Sequence, residues 1–326
     1  MPDIKDNAMK KKILLAILNI AAAALIGIII GIYIKYLHPG EKSGGSSLTE
    51  KIEALAGNAD ARIGLAAVFP DGSIMTYSNS RAADTVPGMP ERAYPMLSVM
   101  KFHQALAVCG WLKANGAGLD DKITVTADEL KRNTWSPLRD EHPEGGEFSW
   151  RELMEYTLVC SDNNACDILF DRTGGPQYTD SYIRASGARG FRIECTEDMM
   201  HENPENAFRN WSTPESAAVL MDRFYKCRDN DAFSNFIWNT MAGCKTGLNR
   251  IPLHISEKAA AIAHKTGTGD TGPDGRIMAV NDIGTVVLPD GRHFSLAVFV
   301  SDAGCTMEEC EEIIAGIAEA VFDFCS

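Results

Sequence analysis

One apolar stretch near the N-terminus restricts what this chain can fold into. It runs from Ile13 to Ile34, follows a group of lysines, and is apolar on every face of a helix. At about 1.5 Å of rise per residue, such a helix crosses a hydrocarbon core of roughly 30 Å. The apolar region of a signal peptide is usually shorter, although the alanines here also fit cleavage. We therefore interpret residues 1–37 as an N-terminal membrane anchor or signal peptide.

The rest of the chain is predicted to be an exported body joined to this segment by a short linker. The lysines before the apolar stretch predict a cytoplasmic N-terminus. Glycine and serine are frequent in residues 38–47, as is typical of a flexible linker. Residues 48–326 then form the folded body. The hydrophobic content of the chain, 45%, is sufficient for a sizeable core.

Charge and cysteine content exclude several classes of function. The formal net charge is −13, which argues against nucleic acid or an anionic membrane surface as the main partner. The cysteines and histidines show no spacing typical of a metal site, so we expect no metal and no cofactor. The odd count of 9 cysteines leaves at least one thiol free. We expect most of them to be small buried residues, and one disulfide stays open.

The order of helical and strand-like patterns predicts the fold class. A capped helix opens the body, and two strand-like runs surround the Asp-Gly turn at residues 71–72. Mostly helical patterns follow, and three strand-like runs and an amphipathic helix end the chain. We therefore predict an α/β (α+β) fold, a mostly antiparallel sheet flanked by helices with an inserted all-helical subdomain. The α/β part covers about 48–95 and 241–326, and the helical part about 96–240.

A lysine in the middle of an apolar helical run is the first candidate for chemistry. Lys101 lies three residues after Ser98 in "YPMLSVMKFHQALAV", so both side chains share one helix face. A buried ammonium is costly unless it is paired. Lys101 therefore either reaches the surface or is held inside for chemistry. Desolvation lowers the pKa of a lysine, which can then take the proton of a serine nucleophile. The pair by itself is common by chance.

Two further motifs place polar residues where a binding cleft could form. The stretch "CSDNNACD" puts Ser161 and Asn163 between two apolar helices. They serve there either as a helix cap or as a proton relay and an amide donor. The stretch "AHKTGTG" ends a strand-like run with Lys265 and Thr266, which can hold a carboxylate. Its glycines allow close approach of a ligand, and a backbone N–H at Thr268 can face an oxyanion.

Ser-x-x-Lys, Ser-Asp-Asn and Lys-Thr-Gly in this order form the motif set of class A β-lactamases and penicillin-binding proteins. From about residue 48 onward the chain resembles the class A serine β-lactamases, and in particular their cephalosporin-hydrolysing and extended-spectrum branch. The resemblance implies hydrolysis of β-lactam antibiotics, preferentially cephalosporins, through an acyl-enzyme on Ser98, and resistance to them. It also implies that Ser161 relays a proton to the leaving nitrogen.

Class A enzymes also use a loop glutamate to activate the water that breaks the acyl-enzyme. Several acids of this chain compete for that role in the region from 193 to 216. Glu197 fits the family pattern best, so we predict it as the base. It also competes with Lys101 for the proton of Ser98. His201 stands where the family usually has an asparagine, and we expect it to position the water. The alternative is that this region is only an acidic surface loop.

The resemblance also suggests residues that bind substrate. Trp135 would lie at the mouth of the cleft and pack against the bound molecule, or else be a core tryptophan. Many class A enzymes carry an arginine on the strand after Lys-Thr-Gly, but this chain has Asn281 and Asp282 there. Arg250 is our replacement candidate, because its planar fork can bind a carboxylate. We give the second Lys-Thr-Gly, residues 245–247, no role.

Two alternative functions stay open at this point. A D,D-peptidase would be acylated by β-lactams but release them slowly, and a membrane-anchored sensor would bind them covalently and signal. The expected partner is a small β-lactam substrate, with no nucleic acid. Contact with a membrane is expected only through the N-terminal segment, if it is not cleaved. We expect a monomer in the periplasm or cell envelope of a bacterium.

Overall fold

A five-stranded antiparallel sheet at the centre of the fold is built from both ends of the body. The computed structural model describes residues 47–79 and 88–326. The strands in chain order are β1 (Arg62–Val68), β2 (Ile74–Ser78), β3 (Tyr94–Pro95), β4 (Lys122–Thr126), β5 (Gly145–Ser149), β6 (Phe191–Arg192), β7 (Trp211–Ser212), β8 (Ala261–Thr268), β9 (Ile277–Val287) and β10 (His293–Ala303). The order in the large sheet is β2-β1-β10-β9-β8.

Ten helices of the described residues pack around this sheet. They are α1 (Leu48–Ala56), α2 (Met100–Asn115), α3 (Pro137–Glu141), α4 (Trp150–Val159), α5 (Asn163–Thr173), α6 (Gly175–Ala185), α7 (Glu197–Glu202), α8 (Pro214–Cys227), α9 (Ala232–Ala242) and α10 (Met307–Cys325). Short 3₁₀ helices cover Leu97–Val99, Ala127–Glu129 and Pro204–Arg209. The antiparallel sheet flanked by helices confirms the predicted fold class.

Both faces of the sheet are covered, and a separate hydrophobic core forms on each. Along β1, Ile63 and Leu65 belong to the core that α1 and α10 cover, whereas Ala66 belongs to the core under the helical part. All residues of β1 are buried, as expected for a strand covered on both faces. The chain therefore buries its two cores in layers, with the sheet between them.

The segment between β2 and β8 is mostly helical but also contains short strands. A two-stranded sheet pairs β4 with β5, and β3, β7 and β6 form a three-stranded one. The β4–β5 pair is absent from the prediction of a mostly helical segment, although Ile123 and Val125 alternate with exposed residues as in a half-buried strand. The carboxyl end of β3 leads into the 3₁₀ helix Leu97–Val99 and then into α2, which brings Ser98 to the edge of the large sheet at β8.

The N-terminal segment lies outside the described residues. This applies to the predicted anchor, residues 1–37, and to nearly all of the predicted linker, 38–47. Among the helices that the structure does describe, none has the length and apolar character needed to cross a bilayer. All nine cysteines lie in the described part and are free thiols. The closest pair, Cys305 and Cys310, has its sulfur atoms 3.4 Å apart.

Candidate active site

Ser98 sits on a strained piece of backbone between β3 and α2. The residue before it, Leu97, has a φ of 46°, which is unusual for a residue with a side chain. Such a conformation costs about 1–3 kcal/mol and persists only where the surroundings hold it in place. Ser98 is the second residue of a 3₁₀ helix, so its backbone N–H has no partner within that helix. The hydroxyl and the N–H are therefore both presented at the same place.

Lys101 is fully buried and paired, which answers why a lysine interrupts the apolar run. Its Nζ lies 2.9 Å from Oε1 of Glu197. It also donates to the Asn163 side-chain oxygen at 2.6 Å and to the Ser161 carbonyl oxygen at 2.8 Å. A buried ammonium with three such acceptors, one of them a carboxylate, is compensated for the loss of water. Of the two alternatives in the sequence analysis, the structure shows the lysine held inside.

Glu197 is the first residue of α7 and faces Ser98. The Ser98 hydroxyl donates to Glu197 Oε1 at 3.0 Å, and this is the same oxygen that pairs with Lys101. Thr196 caps the helix through its side chain, which accepts from the backbone of Met199. The glutamate is about nine-tenths buried. One carboxylate oxygen therefore joins the hydroxyl and the ammonium that the Ser-x-x-Lys motif supplies.

Asp167 positions the backbone of Glu197, and the sequence analysis misses it. Both of its carboxylate oxygens accept backbone hydrogen bonds, one from Glu197 and one from Asp198, each at 2.8 Å. Burial, together with the nearby Glu197 carboxylate, raises the pKa of Asp167 to about 7. The signal that could have found it is its place four residues after Asn163, on the same face of α5.

Ser161 lies between two lysines. Lys265 Nζ donates to its hydroxyl at 2.9 Å, and Lys101 Nζ lies 3.5 Å from the same atom. Ser161 also has a positive φ, 58°. The next residue, Asp162, caps α5 and accepts further bonds from Ser136 and the Leu138 backbone. The Ser-Asp-Asn segment therefore caps α5 through Asp162, and Ser161 lies within hydrogen-bond distance of both lysines. The proton relay by Ser161 and the amide donation by Asn163 stay predictions.

Lys265 carries a positive charge that no described carboxylate pairs with. It is fully buried at the edge strand β8, and it donates to Ser161 and to the Thr266 carbonyl oxygen. Burial and the charge of Lys101 lower its pKa to about 8. Gly267 brings this strand close to the nucleophile segment, since a Cβ there would lie 2.5 Å from the Met96 carbonyl oxygen. An unpaired cation at the edge of a cleft suits an anionic ligand.

At the carboxyl end of β8, the hydroxyl groups of Thr266 and Thr268 are held by Thr246 and Arg250. Thr246 shares a hydrogen bond of 2.7 Å with the Thr266 hydroxyl, so the second Lys-Thr-Gly, to which the sequence analysis gives no role, lies beside the first. Arg250 Nη2 donates to the Thr268 hydroxyl at 2.8 Å. The arginine is 3% exposed and its fork is directed to protein atoms, including Glu311 at 3.2 Å. Arg250 therefore reaches Thr268 on β8, but its guanidinium lies beneath the strand.

Two predicted residues border the cleft from the opposite side. Trp135 is 62% exposed, so it is not a core residue. Its indole donates to the Cys160 carbonyl oxygen at 2.9 Å, and its own carbonyl accepts from the Asn163 backbone at 3.0 Å. His201 is exposed, and its Nε2 lies 2.8 Å from the Asn133 amide. No hydrogen bond in the described residues joins His201 to Glu197 or Ser98.

The Asn163 amide is already engaged with protein groups. Its oxygen accepts from Lys101, and its nitrogen donates to the Thr134 hydroxyl at 2.8 Å. Among the described residues, no group of three His, Cys, Asp or Glu side chains could hold a metal ion. The site thus combines the Ser98 hydroxyl, the Glu197 carboxylate, the Ser161 hydroxyl and the Lys265 ammonium, which pairs with no described carboxylate. These are the parts that acyl transfer to and from a carboxylate-bearing substrate requires.

Comparison with known proteins gives consistent matches over the whole body. Residues 48–325 match the family described as "Beta-lactamase enzyme family". A beta-lactamase of Bacteroides uniformis is 36% identical over 284 residues, which cover 85% of this chain and 91% of the relative. Beta-lactamase VEB-1 of Pseudomonas aeruginosa is 33% identical over 282 residues, covering 85% and 90%. The crystal structure of TLA-3 extended-spectrum beta-lactamase aligns with a TM-score of 0.78 and 35% identity, covering 86% of this chain and 99% of the other.

Proposed function

Because the chain belongs to the beta-lactamase enzyme family and is a class A serine enzyme that hydrolyses β-lactams, we propose that Ser98 forms the acyl-enzyme and that Glu197 activates the water that breaks it. One observation carries this assignment. Oxygen Oε1 of Glu197 lies within hydrogen-bond distance of both the Ser98 hydroxyl and the Lys101 ammonium. The family's hydrolysis of β-lactams is the basis of resistance to them.

In the acylation step, the Ser98 oxygen attacks the β-lactam carbonyl carbon. Its proton leaves to Glu197 or to a neutral Lys101. The Ser98 hydroxyl donates to Glu197 Oε1 at 3.0 Å, which favours the route to Glu197. The C–N bond of the ring breaks, and the nitrogen takes a proton from the Ser161 hydroxyl. Lys265 lies 2.9 Å from that hydroxyl and stabilises the oxygen as it gives up its proton.

Two backbone N–H groups can stabilise the oxyanion that forms on the carbonyl. One belongs to Ser98, which has no partner within its 3₁₀ helix. The other belongs to Thr268 on the edge strand β8. The Gly269 N–H bonds to Ala279 on β9, so the alternation of an antiparallel ladder turns the Thr268 N–H outward to the cleft. In other enzymes the loss of one such donor costs about 3–4 kcal/mol.

Substrate binding is divided between a charged side and an apolar side. The carboxylate of the β-lactam binds Lys265, Thr266 and Thr268, and Arg250 acts by fixing the Thr268 hydroxyl from beneath. This revises the bidentate contact expected of Arg250. Trp135 packs against the bound molecule at the cleft mouth. The side-chain amide of Asn163 donates to the carbonyl group on the side chain of the β-lactam. The role of His201 as a water-positioning residue remains a prediction.

We also propose that the enzyme prefers cephalosporins and that it is exported to the periplasm or cell envelope. Similarity to enzymes named as extended-spectrum beta-lactamases, such as PER-1 and TLA-1, supports the preference for cephalosporins. The ratio of kcat/KM for a cephalosporin to that for a benzylpenicillin-type compound tests it. Export to the periplasm or cell envelope, with residues 1–37 as anchor or signal peptide, rests on the sequence. Fractionation of cells followed by intact mass of the mature protein tests the location and the cleavage.

The decisive experiment for the mechanism is Glu197→Gln. The variant keeps the size of the side chain but removes the base, so we expect a chromogenic cephalosporin to give one burst and a stable adduct. Intact mass should show the added drug, and peptide mapping should place it on Ser98. Ser98→Ala is the control, with neither adduct nor hydrolysis.

Fast steady turnover by Glu197→Gln would show that another group is the base. A burst without turnover by the natural protein would instead favour a D,D-peptidase or a sensor.

A further inference from the structure

Two cysteines at the start of α10 lie in contact, and the hydrolysis proposed above uses neither of them. The sulfur atoms of Cys305 and Cys310 are 3.4 Å apart. Cys305 is half-buried in the turn that follows β10, whereas Cys310 is fully buried in the first turn of the helix. A disulfide bond is about 2.05 Å long, so the two sulfurs need to approach each other by only about 1.4 Å to be bonded.

The backbone between these cysteines is held by the cap of the helix. The Thr306 hydroxyl accepts from the Glu309 backbone N–H at 3.2 Å, and the Glu309 carboxylate accepts from the Thr306 backbone N–H at 2.8 Å. The Cys310 N–H in turn donates to the Thr306 carbonyl oxygen at 3.0 Å. These reciprocal bonds fix the path of the chain from the turn into the helix. The two thiols are therefore held side by side by contacts that do not involve sulfur.

This contact distinguishes one pair among the nine cysteines, all of which lie in the described part of the chain. Among the described residues, no other two cysteine sulfurs lie within hydrogen-bond distance of each other. The sequence analysis leaves one disulfide open, because spacing alone does not select its partners. The geometry selects Cys305 and Cys310.

The two thiols differ in exposure and in how readily they ionise. Burial, together with the neighbouring Cys305 thiol, raises the pKa of Cys310 to about 12. Cys305 is the more exposed of the two, so a reagent in solution reaches it first. Because the thiolate is the attacking form in disulfide exchange, Cys305 is placed to react first and Cys310 second.

We propose that Cys305 and Cys310 are a redox-active pair, which a low-molecular-weight disulfide converts into an intramolecular disulfide at the start of α10. The Cys305 thiolate attacks one sulfur of the reagent, the S–S bond of the reagent breaks, and one thiolate leaves. The Cys310 sulfur then attacks the Cys305 sulfur and releases the second thiolate. The two cysteines are oxidised, and the reagent is reduced to two thiols that take up the two protons.

The bond anchors the part of α10 that supports the substrate-binding strand. Glu311 follows Cys310 and pairs with Arg250 at 3.2 Å, and Arg250 donates to the Thr268 hydroxyl at 2.8 Å. The folded protein already has these contacts, so we expect the same kcat/KM in buffer for the reduced and oxidised forms. We expect the oxidised form to resist unfolding better, because the bond removes conformations of the unfolded chain. The expectation for kcat/KM rests on the proposed function, whereas the bond itself does not.

Treatment of the full chain with oxidised glutathione, followed by mass mapping without reductant, tests the proposal. Glu308 and Glu309 lie between the two cysteines, so a protease that cleaves after glutamate separates Cys305 from Cys310 unless a disulfide joins them. We expect one cross-linked fragment that dithiothreitol splits into two. This readout needs neither hydrolysis of a β-lactam nor a variant, so it is independent of the proposed function.

Two other cysteines serve as controls in the same digest. Cys325 is buried on the same helix and should stay a free thiol. Cys227 is exposed and reports that the reagent is active, because it should take up glutathione. Glutathione on Cys227 with no cross-linked fragment would overturn the proposal. Glutathione that stays on Cys305 would do the same, since Cys310 would then have failed to displace it.

Urea unfolding of the reduced and oxidised proteins tests the anchoring of α10. Closing so short a loop should lower the equilibrium constant of unfolding by about 10–50-fold, and dithiothreitol should reverse the change. The variant Cys227→Ser should show the same shift on oxidation, and Cys305→Ser should show none. An equal shift in Cys305→Ser would show that another pair is responsible. Cross-linked protein that unfolds at the same urea concentration as the reduced form would contradict the anchoring.

Discussion

Lys101 and Lys265 are both fully buried at the same site, yet their surroundings differ in charge. Lys101 has a carboxylate partner, Glu197, at 2.9 Å, and the two charges compensate each other. Lys265 donates to a hydroxyl and a carbonyl oxygen, and no described carboxylate pairs with it. The charge of the first lysine is therefore compensated within the protein by Glu197 and the neighbouring acceptors. The second keeps an uncompensated charge that an incoming anion can neutralise.

The difference shows how one cleft can carry both reaction and recognition. A buried cation without a carboxylate is unfavourable in the free protein, and this is expressed in the pKa of Lys265, which burial and Lys101 lower to about 8. The cost is recovered when a substrate carboxylate binds. At Lys101 the protein itself supplies the anion, Glu197, so the charge of this lysine is already compensated in the free protein. The following variants would break or sharpen this contrast.

The largest effect is expected from Lys101→Ala. It removes a group that takes part in proton transfer and leaves Glu197 without its cation. We expect kcat/KM to fall by about 10²–10⁴-fold, and the free energy of unfolding to fall by about 3–5 kcal/mol, as for other broken buried pairs. Stopped-flow acylation and urea unfolding measure the two.

The control for this variant is Lys113→Ala on the same helix, whose ion pair with Asp231 is partly exposed. It should change stability by at most about 1 kcal/mol. Equal losses in the two variants would remove the distinction between a paired catalytic lysine and a surface one.

Lys265→Ala should act mainly on binding. Loss of a charge-assisted bond to the substrate carboxylate raises KM by about 10–100-fold with a smaller change in kcat. In the natural protein, Lys265 loses its charge as pH rises through its pKa of about 8, so KM should increase above that pH. Steady-state kinetics across this range measure it. Lys265→Arg stays charged and should lose the alkaline rise, and a pH-independent KM in the natural protein would contradict the contrast drawn here.

Asp167→Asn tests the support of the catalytic glutamate through stability. The pKa of Asp167 is raised to about 7, above that of an unfolded aspartate, so the folded protein holds a proton that the unfolded chain has released between about pH 4 and 7. The free energy of unfolding should therefore fall as pH rises through this window, by at most about 1.4 kcal/mol per pH unit. Urea unfolding at several pH values should show a smaller slope in Asp167→Asn.

The same substitution at Asp198 is the control, because its side chain takes no part in these two backbone bonds. An unchanged slope in Asp167→Asn would mean that another group causes the pH dependence.

The smallest effect is expected from Trp135→Ala. This side chain is uncharged and 62% exposed, so its loss leaves the charges of both lysines unchanged. Its loss should raise KM by about 2–10-fold, the range expected for one aromatic contact, and leave kcat and the pH profile as they are. Trp135→Phe should restore most of the binding. A large fall in kcat would show that the indole, through its bond to the Cys160 carbonyl oxygen, holds the segment around Asn163 in place, rather than packing on substrate.

Local patterns in the sequence are enough to predict the fold class, and they single out three polar motifs that the structure brings together. Alternating and helical periodicities report which faces are buried, and the order of strands and helices then limits the topology. The three polar motifs stand out because polar residues are rare in such apolar surroundings. They come together at one place in the structure through Ser98, Ser161 and Lys265.

The residues that the sequence analysis misjudged act through contacts far apart in the chain. Asp167 looks like an ordinary helix residue until the backbone of Glu197 is placed on it. Thr246 belongs to a repeated motif that has no visible role until its hydroxyl meets Thr266, twenty residues later. Arg250 was expected to face the substrate, but its partners in Gly267, Asn281 and Glu311 draw the guanidinium beneath the strand. Such pairings depend on tertiary packing and leave no local pattern.

Glu311, which holds Arg250, lies on α10, the last of the described helices. A ribosome adds α10 after the other described helices and strands, so the support for Thr268 is completed only once that helix has been made. A product that stops short of α10 therefore lacks both the cover of one core and the anion that fixes Arg250. A nonsense mutation just before α10 should consequently be as damaging as one before Ser98.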